Sequence, residues 1–508
     1  MSRAAGTRIL GAFSVILLLA FVALDYAAPA GRRLAKVRGE DPVAYFGMAH
    51  SILVDHDFNL NNEYEHMPPD GRMWTKNQPG TGLPGSPWGL GYSFLEIPLL
   101  AIGTGADAIA GNPADGYSHW AVFFYSIGNV LITCLGLVSM YLWLQSVAAF
   151  GGGIDERRQP IWALVATAAI FFGTNVGYYA FSQMSHASTF LFATLFLWTW
   201  WRVRESERAR DWLALGVVGG FLSICRWQDC LYLTGPLMFD LWGTRVLKLA
   251  RGSWWRGRLP YAAGVLIWWI PQSWQWKMIY GKYLTIPQGG GIFSFPPQHM
   301  LQVLFSSQSG WFIWTPLTLL GVAGLLAGAV KSARTYVPWI IILTLQVAVV
   351  GSVWFWSGVQ SFGARYLLSD TPLIGLGLIT LINSSPARVR WRMVAVWGAC
   401  CMFTLLFAVQ FRFDLVPQAS QLTFSELVTD KFRLLAVRKR RLAVQAARAS
   451  LDSGDAAAAI RLLEGVRGYG EDRDVEFLLE KAWRAAGGTA KADAAALTYR
   501  RVVASRLY

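Results

Sequence analysis

Of the 508 residues, 54% are hydrophobic and only 15% charged, whereas a soluble domain carries about a quarter of its residues charged. A net charge of +14 would point to nucleic acid in a soluble protein. Most Lys and Arg here sit in short loops between apolar runs, where they orient membrane helices, so nucleic acid is set aside as a partner. Cys134, Cys225, Cys230, Cys400 and Cys401 lie in or beside apolar segments without metal-ligand spacing, and neither a disulfide framework nor a zinc site of cysteines is implied.

A membrane-spanning helix needs about 20 mostly apolar residues. Runs centred on 9–28, 119–148, 161–181, 187–203, 212–225, 230–247, 259–278, 311–330, 337–356, 366–383 and 393–411 meet or approach this. The expected fold is an all-α polytopic membrane protein with about eleven transmembrane helices. Arg3 and Arg8 precede the first run. Arg157 and Arg158, Arg202 to Arg210, Arg245 to Arg258, Lys331 with Arg334, and Arg388 to Arg392 fill every second loop thereafter. This alternation places the N-terminus in the cytoplasm and the tail after Phe411 outside. Arg32, Arg33, Lys36 and Arg38 run against it and are expected to face lipid phosphates. Ala28-Pro29-Ala30 resembles a signal-peptidase site, so the first helix is either retained or removed. The segment 92–110 contains Glu96, Pro98 and Asp107 and is expected to lie at the interface or re-enter.

Four regions follow: a first helix to residue 28, an extracytoplasmic loop over 29–118, a helical bundle over 119–411 and a polar, Ala- and Arg-rich tail over 412–508. In the loop, Pro79, Gly80, Gly82, Pro84, Gly85 and Pro87 exclude a long regular helix. In the tail, Ala443 to Val466 reads as two helices split by Asp452-Ser453-Gly454-Asp455, a spacing like that of a tetratricopeptide repeat.

The chemistry begins at Glu40-Asp41, soon after the first helix and ahead of an amphipathic stretch with Ala44, Met48 and Ile52 at helical spacing. Two readings stay open. A carboxylate at the membrane surface could accept a proton from a hydroxyl or bind a divalent cation (Mg or Mn); or Asp41 caps a helix with Pro42 at its first position. Asp55-His56-Asp57-Phe58-Asn59-Leu60-Asn61-Asn62 is either a metal or sugar site or ordinary turn chemistry. Lys76-Asn77-Gln78-Pro79-Gly80 lacks the spacing of a phosphate loop. His186, Arg226, Asp229 and Arg365-Tyr366 fall at the external ends of helices, on the face that also carries the acidic loop. Polar residues in such places are candidates for a site, and two arginines there could hold a lipid-linked phosphate. Each also has a plain structural reading, such as a packed His, an Arg–Asp pair or a snorkelling Arg.

This pattern resembles the GT-C superfamily of integral-membrane glycosyltransferases, particularly bacterial relatives of protein mannosyltransferases and aminoarabinose transferases. The likeness rests on the first helix, Glu40-Asp41 with Tyr45 downstream, and Gln78-Pro79-Gly80 to Pro87. It continues through Met184-Ser185-His186, Leu304-Phe305-Ser306-Ser307-Gln308-Ser309-Gly310-Trp311 and Phe362-Gly363-Ala364-Arg365-Tyr366. It covers roughly residues 9–411. The resemblance implies a polyprenyl-phosphate sugar donor, a glycan, lipid or protein acceptor and transfer on the extracytoplasmic face of a bacterial inner membrane. Asp41 would then be the general base, with Glu40 as supporting acid or metal ligand. Arg226 and Arg365 are our assignments for the donor phosphate, and Tyr45, Lys76, His186, Asp229 and Tyr366 are expected around the substrate. Pro42 departs from the pattern, since many relatives carry a second acid there, and the short helical tail is a further departure, suited to binding a protein partner. A transporter or flippase would need acids or broken helices near the midplane and an internal repeat. A scaffold would need far fewer helices.

Overall fold

The computed structural model describes residues 2–28, 33–70, 74–150, 154–241, 252–468 and 472–504. Arg32, Pro29-Ala30 and the end of the run 230–247 lie outside the described residues. The chain is an all-α polytopic membrane protein. Five helices are long and apolar enough to cross a membrane: Arg3–Ala27, His119–Ala149, Ala333–Gly351, Arg365–Ser384 and Ala387–Arg412. Gln159–Gly173 and Leu317–Lys331 are shorter and equally apolar. The remaining runs fall on His186–Val203, Ala209–Cys225, Gly235–Leu241 and Gly252–Tyr280, which carry more polar and aromatic residues. The run 161–181 does not persist as one helix, because Thr174 is extended and only one turn, Val176–Tyr179, follows.

The first two long helices fix the direction of the chain. The Tyr141 hydroxyl donates to the Arg3 carbonyl (3.3 Å), while the Tyr26 ring meets those of His119 and Phe123. The two helices are therefore antiparallel, and residues 28–118 leave and return at the same end.

Two expectations for that stretch change. The segment 92–110 becomes a continuous helix, Leu90–Ile109, with Glu96 and Asp107 fully buried while Ile102 and Ile109 stay exposed. Asp107 accepts the backbone N–H groups of Trp120 and Ala121, at 3.2 and 2.8 Å, where the His119–Phe150 helix begins. The other end of Leu90–Ile109 packs on Ile224 and Cys225. Asp107 thus faces backbone donors instead of lipid, while Glu96 is buried inside the protein. Second, the helix Glu40–His50 is not amphipathic in place, since Pro42 to His50 are all buried.

The chain divides into two compact units. The first comprises residues 1–300, 317–354 and 365–401; the second, 301–316, 355–364 and 402–508. Within the first, Leu317–Lys331 and Thr371–Ser384 meet where both backbones are bare: a methyl group on Gly377 would overlap the Gly321 carbonyl, and one on Gly324 would overlap the Gly377 carbonyl. Small residues at such crossings let membrane helices pack backbone to backbone.

Within the second unit, Trp314 stacks on Phe407 at 4.0 Å and meets Phe362 and Phe411 edge-on. The Ser307 hydroxyl accepts the Leu422 N–H at 3.0 Å, so the Ser306–Gly310 stretch anchors the start of the tail. Four helices follow: Leu434–Asp452, Ala456–Arg467, Arg473–Ala485 and Thr489–Ala504. Their turns carry Gly454 and Gly487, both at positive φ, and both pairs have the helix–turn–helix form. Their core is Val444, Ala447, Leu463, Leu478, Leu479 and Ala482, tied by Arg440 to Asp430 at 2.9 Å and Arg467 to Glu476 at 2.9 Å.

Substituting Gly377→Val should force the two glycine-rich helices apart and cost about 1–3 kcal/mol, read as a lower midpoint of thermal unfolding in detergent. An unchanged midpoint would mean that the close backbone approach contributes nothing to stability.

Candidate active site

The helix Glu40–His50 starts two residues earlier than a cap at Asp41 would allow. Gly39, at φ 91°, is the residue before its first turn, and no side chain caps it. Asp41 is thus inside the first turn, where the helix dipole favours a negative charge. Its Oδ2 lies 3.3 Å from Nη2 of Arg365, and the two side chains retain 17% and 12% of their exposure. Glu40 turns elsewhere: its Oε1 accepts the Trp74 N–H at 2.8 Å, holding the loop that leads to Lys76.

One helical turn after Asp41, on the same face, Tyr45 donates to Ser185 Oγ at 2.8 Å. Burial pushes the Tyr45 hydroxyl well above its ordinary range, so it remains a donor. Tyr45 is held in place by Trp88, stacked at 6.2 Å, and by Tyr92, edge-on at 5.1 Å. The same Ser185 hydroxyl accepts Arg226 Nε at 3.2 Å. Arg226 and Arg365 then share an aromatic neighbour, their guanidinium carbons lying 5.1 and 5.2 Å from the centre of the Tyr366 ring. Arg365 also points Nη1 at the sulfur of Met184, 3.5 Å away.

The segment 226–234, between Ala209–Cys225 and Gly235–Leu241, sets Arg226 against Arg365. Gln228 donates to the Tyr366 carbonyl, and the Tyr232 hydroxyl donates to the Ser369 carbonyl and Asp370 at 2.9 and 3.0 Å. Gln346 donates to Asp229 at 3.2 Å from the Ala333–Gly351 helix. The result is two arginines, one carboxylate and two phenols gathered from three stretches of sequence, with Ser185 from a fourth.

Asp41, Tyr45, Arg226, Arg365 and Tyr366 are therefore brought together. Lys76 is exposed on the loop that Glu40 holds. His186 is fully buried against the Tyr179 ring at 4.4 Å. Asp229 is also fully buried, turned toward Gln346. Ser185 and Met184 join the group without having been singled out as site residues. Their signal was the Met184-Ser185-His186 motif, of which the histidine alone drew attention. The Glu40–Asp41 pair does not form a three-ligand cluster; among the described residues, that arrangement occurs at His50, Asp55 and Glu63.

No known family profile and no curated protein matches the chain. Among solved structures, it is similar to ArnT from Cupriavidus metallidurans in the apo state, at 14% identity and a TM-score of 0.48 over 99% of this chain and 78% of that one. ArnT of the same organism bound to undecaprenyl phosphate matches at 14% and 0.46, over 94% and 77%. The apo oligosaccharyltransferase of Archaeoglobus fulgidus matches at 13% and 0.44 over 79% of this chain, which spans 56% of that protein. These likenesses concern overall fold and assign no role to any residue of this chain.

Burial pushes the Asp229 carboxyl up to about 7, with Arg226 and Gln346 only partly offsetting it. Its unfolded value is near 4. The folded chain therefore holds a proton that the unfolded chain releases between about pH 4 and 7, and this contribution to stability falls as pH rises through that window. Asp229→Asn, which mimics the protonated form, should flatten the decline in thermal stability across the window. An equally steep decline in the variant would place its source elsewhere.

Proposed function

We propose that the chain is a membrane glycosyltransferase that moves a sugar from a polyprenyl-phosphate donor to a hydroxyl acceptor on the extracytoplasmic face. The observation that carries this reading is the Asp41 carboxylate 3.3 Å from Arg365, with Arg226 beside the same Tyr366 ring. A lone acid beside two cations in a membrane protein suits a reaction that removes a proton and releases a phosphate.

In the proposed step, the acceptor hydroxyl oxygen attacks the anomeric carbon of the donor and its proton passes to an Asp41 oxygen. The bond from that carbon to the phosphate oxygen breaks, and the polyprenyl phosphate leaves with the electron pair. The sugar is transferred with inversion. Arg226 and the donors of Arg365 not engaged by Asp41 neutralise the leaving phosphate, which then needs no strong general acid. Arg365 has a second role, since its guanidinium orients the Asp41 carboxylate. Tyr45 positions Arg226 through Ser185. Glu40 acts as a positioning acid by fixing the loop at Trp74, which brings Lys76 to the rim for the donor. The prenyl chain stays in lipid, consistent with a multi-pass protein in a bacterial inner membrane with a cytoplasmic N-terminus and an extracytoplasmic tail. The acceptor class is a glycan, lipid or protein hydroxyl.

The test is transfer from radiolabelled polyprenyl-phosphate sugars in membranes holding equal amounts of the normal chain or Asp41→Asn. Loss of a positioned general base should lower turnover by about 100- to 10,000-fold. Equal transfer by both would remove Asp41 from the chemistry. Movement of a lipid-linked sugar across vesicles without transfer would favour a flippase.

Two further variants separate the roles. Arg226→Gln removes a charged donor worth about 1.5–3 kcal/mol, and should raise the KM for the donor roughly 10- to 100-fold more than that for the acceptor. Tyr45→Phe removes one neutral hydrogen bond to Ser185 and should lower turnover only about 2- to 10-fold. A larger loss would make Tyr45 a direct participant.

A further inference from the structure

A second cluster lies on the same helix, away from the reaction. His50 ends the Glu40–His50 helix, nine residues after Asp41, which corresponds to a rise of about 13 Å. Ser51–Asp55 then continues as a single π-helical turn and closes at His56 with positive φ. The wider turn matters because five α-helical residues would carry Asp55 well round from His50, whereas the π turn brings it back. The short helix Asn61–His66 adds Glu63 from the other side.

His50 Nδ1 lies 3.1 Å from Glu63 Oε1 and 3.4 Å from Asp55 Oδ2. His50 and Glu63 are 2% and 1% exposed. The other ring nitrogen, Nε2, is 2.7 Å from the Asp115 carbonyl. A carbonyl can only accept, so Nε2 carries the hydrogen. A neutral His50 therefore turns its Nδ1 lone pair toward two carboxylates. Three electron-pair donors converging in a buried place repel each other unless a cation sits among them. A second carboxylate atom, Glu63 Oε2, is buried with no hydrogen-bond partner.

The spacing suits a metal. Ligand atoms at 2.0–2.2 Å from a tetrahedral zinc lie about 3.3 Å apart, close to the two separations found here. Donation from the second imidazole nitrogen to a backbone carbonyl is also the support that metal-bound histidines have. Tyr117 completes the wall, its ring stacked on His50 at 4.1 Å and on His66 at 3.9 Å. Asn62 donates to Asp55 Oδ2 at 3.0 Å and orients it.

We infer that His50, Asp55 and Glu63 form a divalent metal site, best suited to zinc, that clamps the end of the Glu40–His50 helix to the loop segments at 55–63 and 115–117. One imidazole with two carboxylates is a borderline donor set that favours zinc over magnesium or calcium. With three protein ligands, the fourth position is left to water. The role is structural, since Asp41 stands at the far end of the helix. The metal would fix that helix in rotation, and with it the direction of Asp41 and Tyr45.

The experiment is elemental analysis of the purified full chain in detergent after incubation with zinc and desalting, comparing the normal protein with Asp55→Asn, Glu63→Gln and Asp41→Asn. The expected result is about one zinc per chain in the normal and Asp41→Asn proteins, and at least ~10-fold less in the two ligand variants. A chelator should also lower the unfolding midpoint of the normal chain and leave that of Glu63→Gln where it was. Asp55 is partly exposed, so its variant keeps the comparison valid if Glu63→Gln fails to fold. Zinc retained by Asp55→Asn and any folded Glu63→Gln would overturn the site. So would a normal chain that takes up no zinc, whose triad would then be a protonated histidine between carboxylates.

Discussion

The ion pair between Asp41 and Arg365 is the constraint on which the arrangement depends. It joins the first turn of a buried loop helix to the segment that leads into the Thr371–Ser384 helix. Both side chains are mostly withdrawn from water, so neither charge is tolerable alone. Removing one partner of such a pair typically costs about 3–5 kcal/mol, because the other is left uncompensated. The pair therefore fixes which face of the Glu40–His50 helix turns inward. Tyr45, one turn on, is then brought to Ser185 and, through it, to Arg226.

In the proposed reaction the two cations also meet the departing phosphate. An Arg–Asp pair that only joined helices would need one arginine. Here two guanidinium groups lie near one Tyr366 ring, and one of them contacts the Asp41 carboxylate. Hydrogen bonds from Gln228 and Tyr232 hold the segment carrying Arg226 against residues 366–370. A preorganised excess of donors is what a departing phosphate requires.

Much of this was legible in the sequence. Hydrocarbon demands long apolar runs, and cations between them show which loops share a side, so the helical class and the convergence of Asp41, Arg226 and Arg365 followed from pattern. What escaped notice were features set by packing. The segment 92–110 read as interfacial or re-entrant because Glu96, Pro98 and Asp107 are unfavourable in lipid; in the fold, the Asp107 carboxylate is satisfied by backbone donors at the start of the next long helix. Asp41 read more readily as a cap, since the cap position and the second helical position lie only two residues apart. Ser185 was hidden by the histidine beside it. His50, Asp55 and Glu63 were unreadable as a set, because their spacing matches no helical period and only a π turn and a short helix bring them together.

The most direct test of the central constraint is a double-mutant cycle on transfer rate with Asp41→Asn, Arg365→Gln and both together. Groups that act as a unit are non-additive. The account predicts that the double variant is no slower than the worse single variant. Losses that multiply would mean that Asp41 and Arg365 act independently, and that the ion pair does not organise the site.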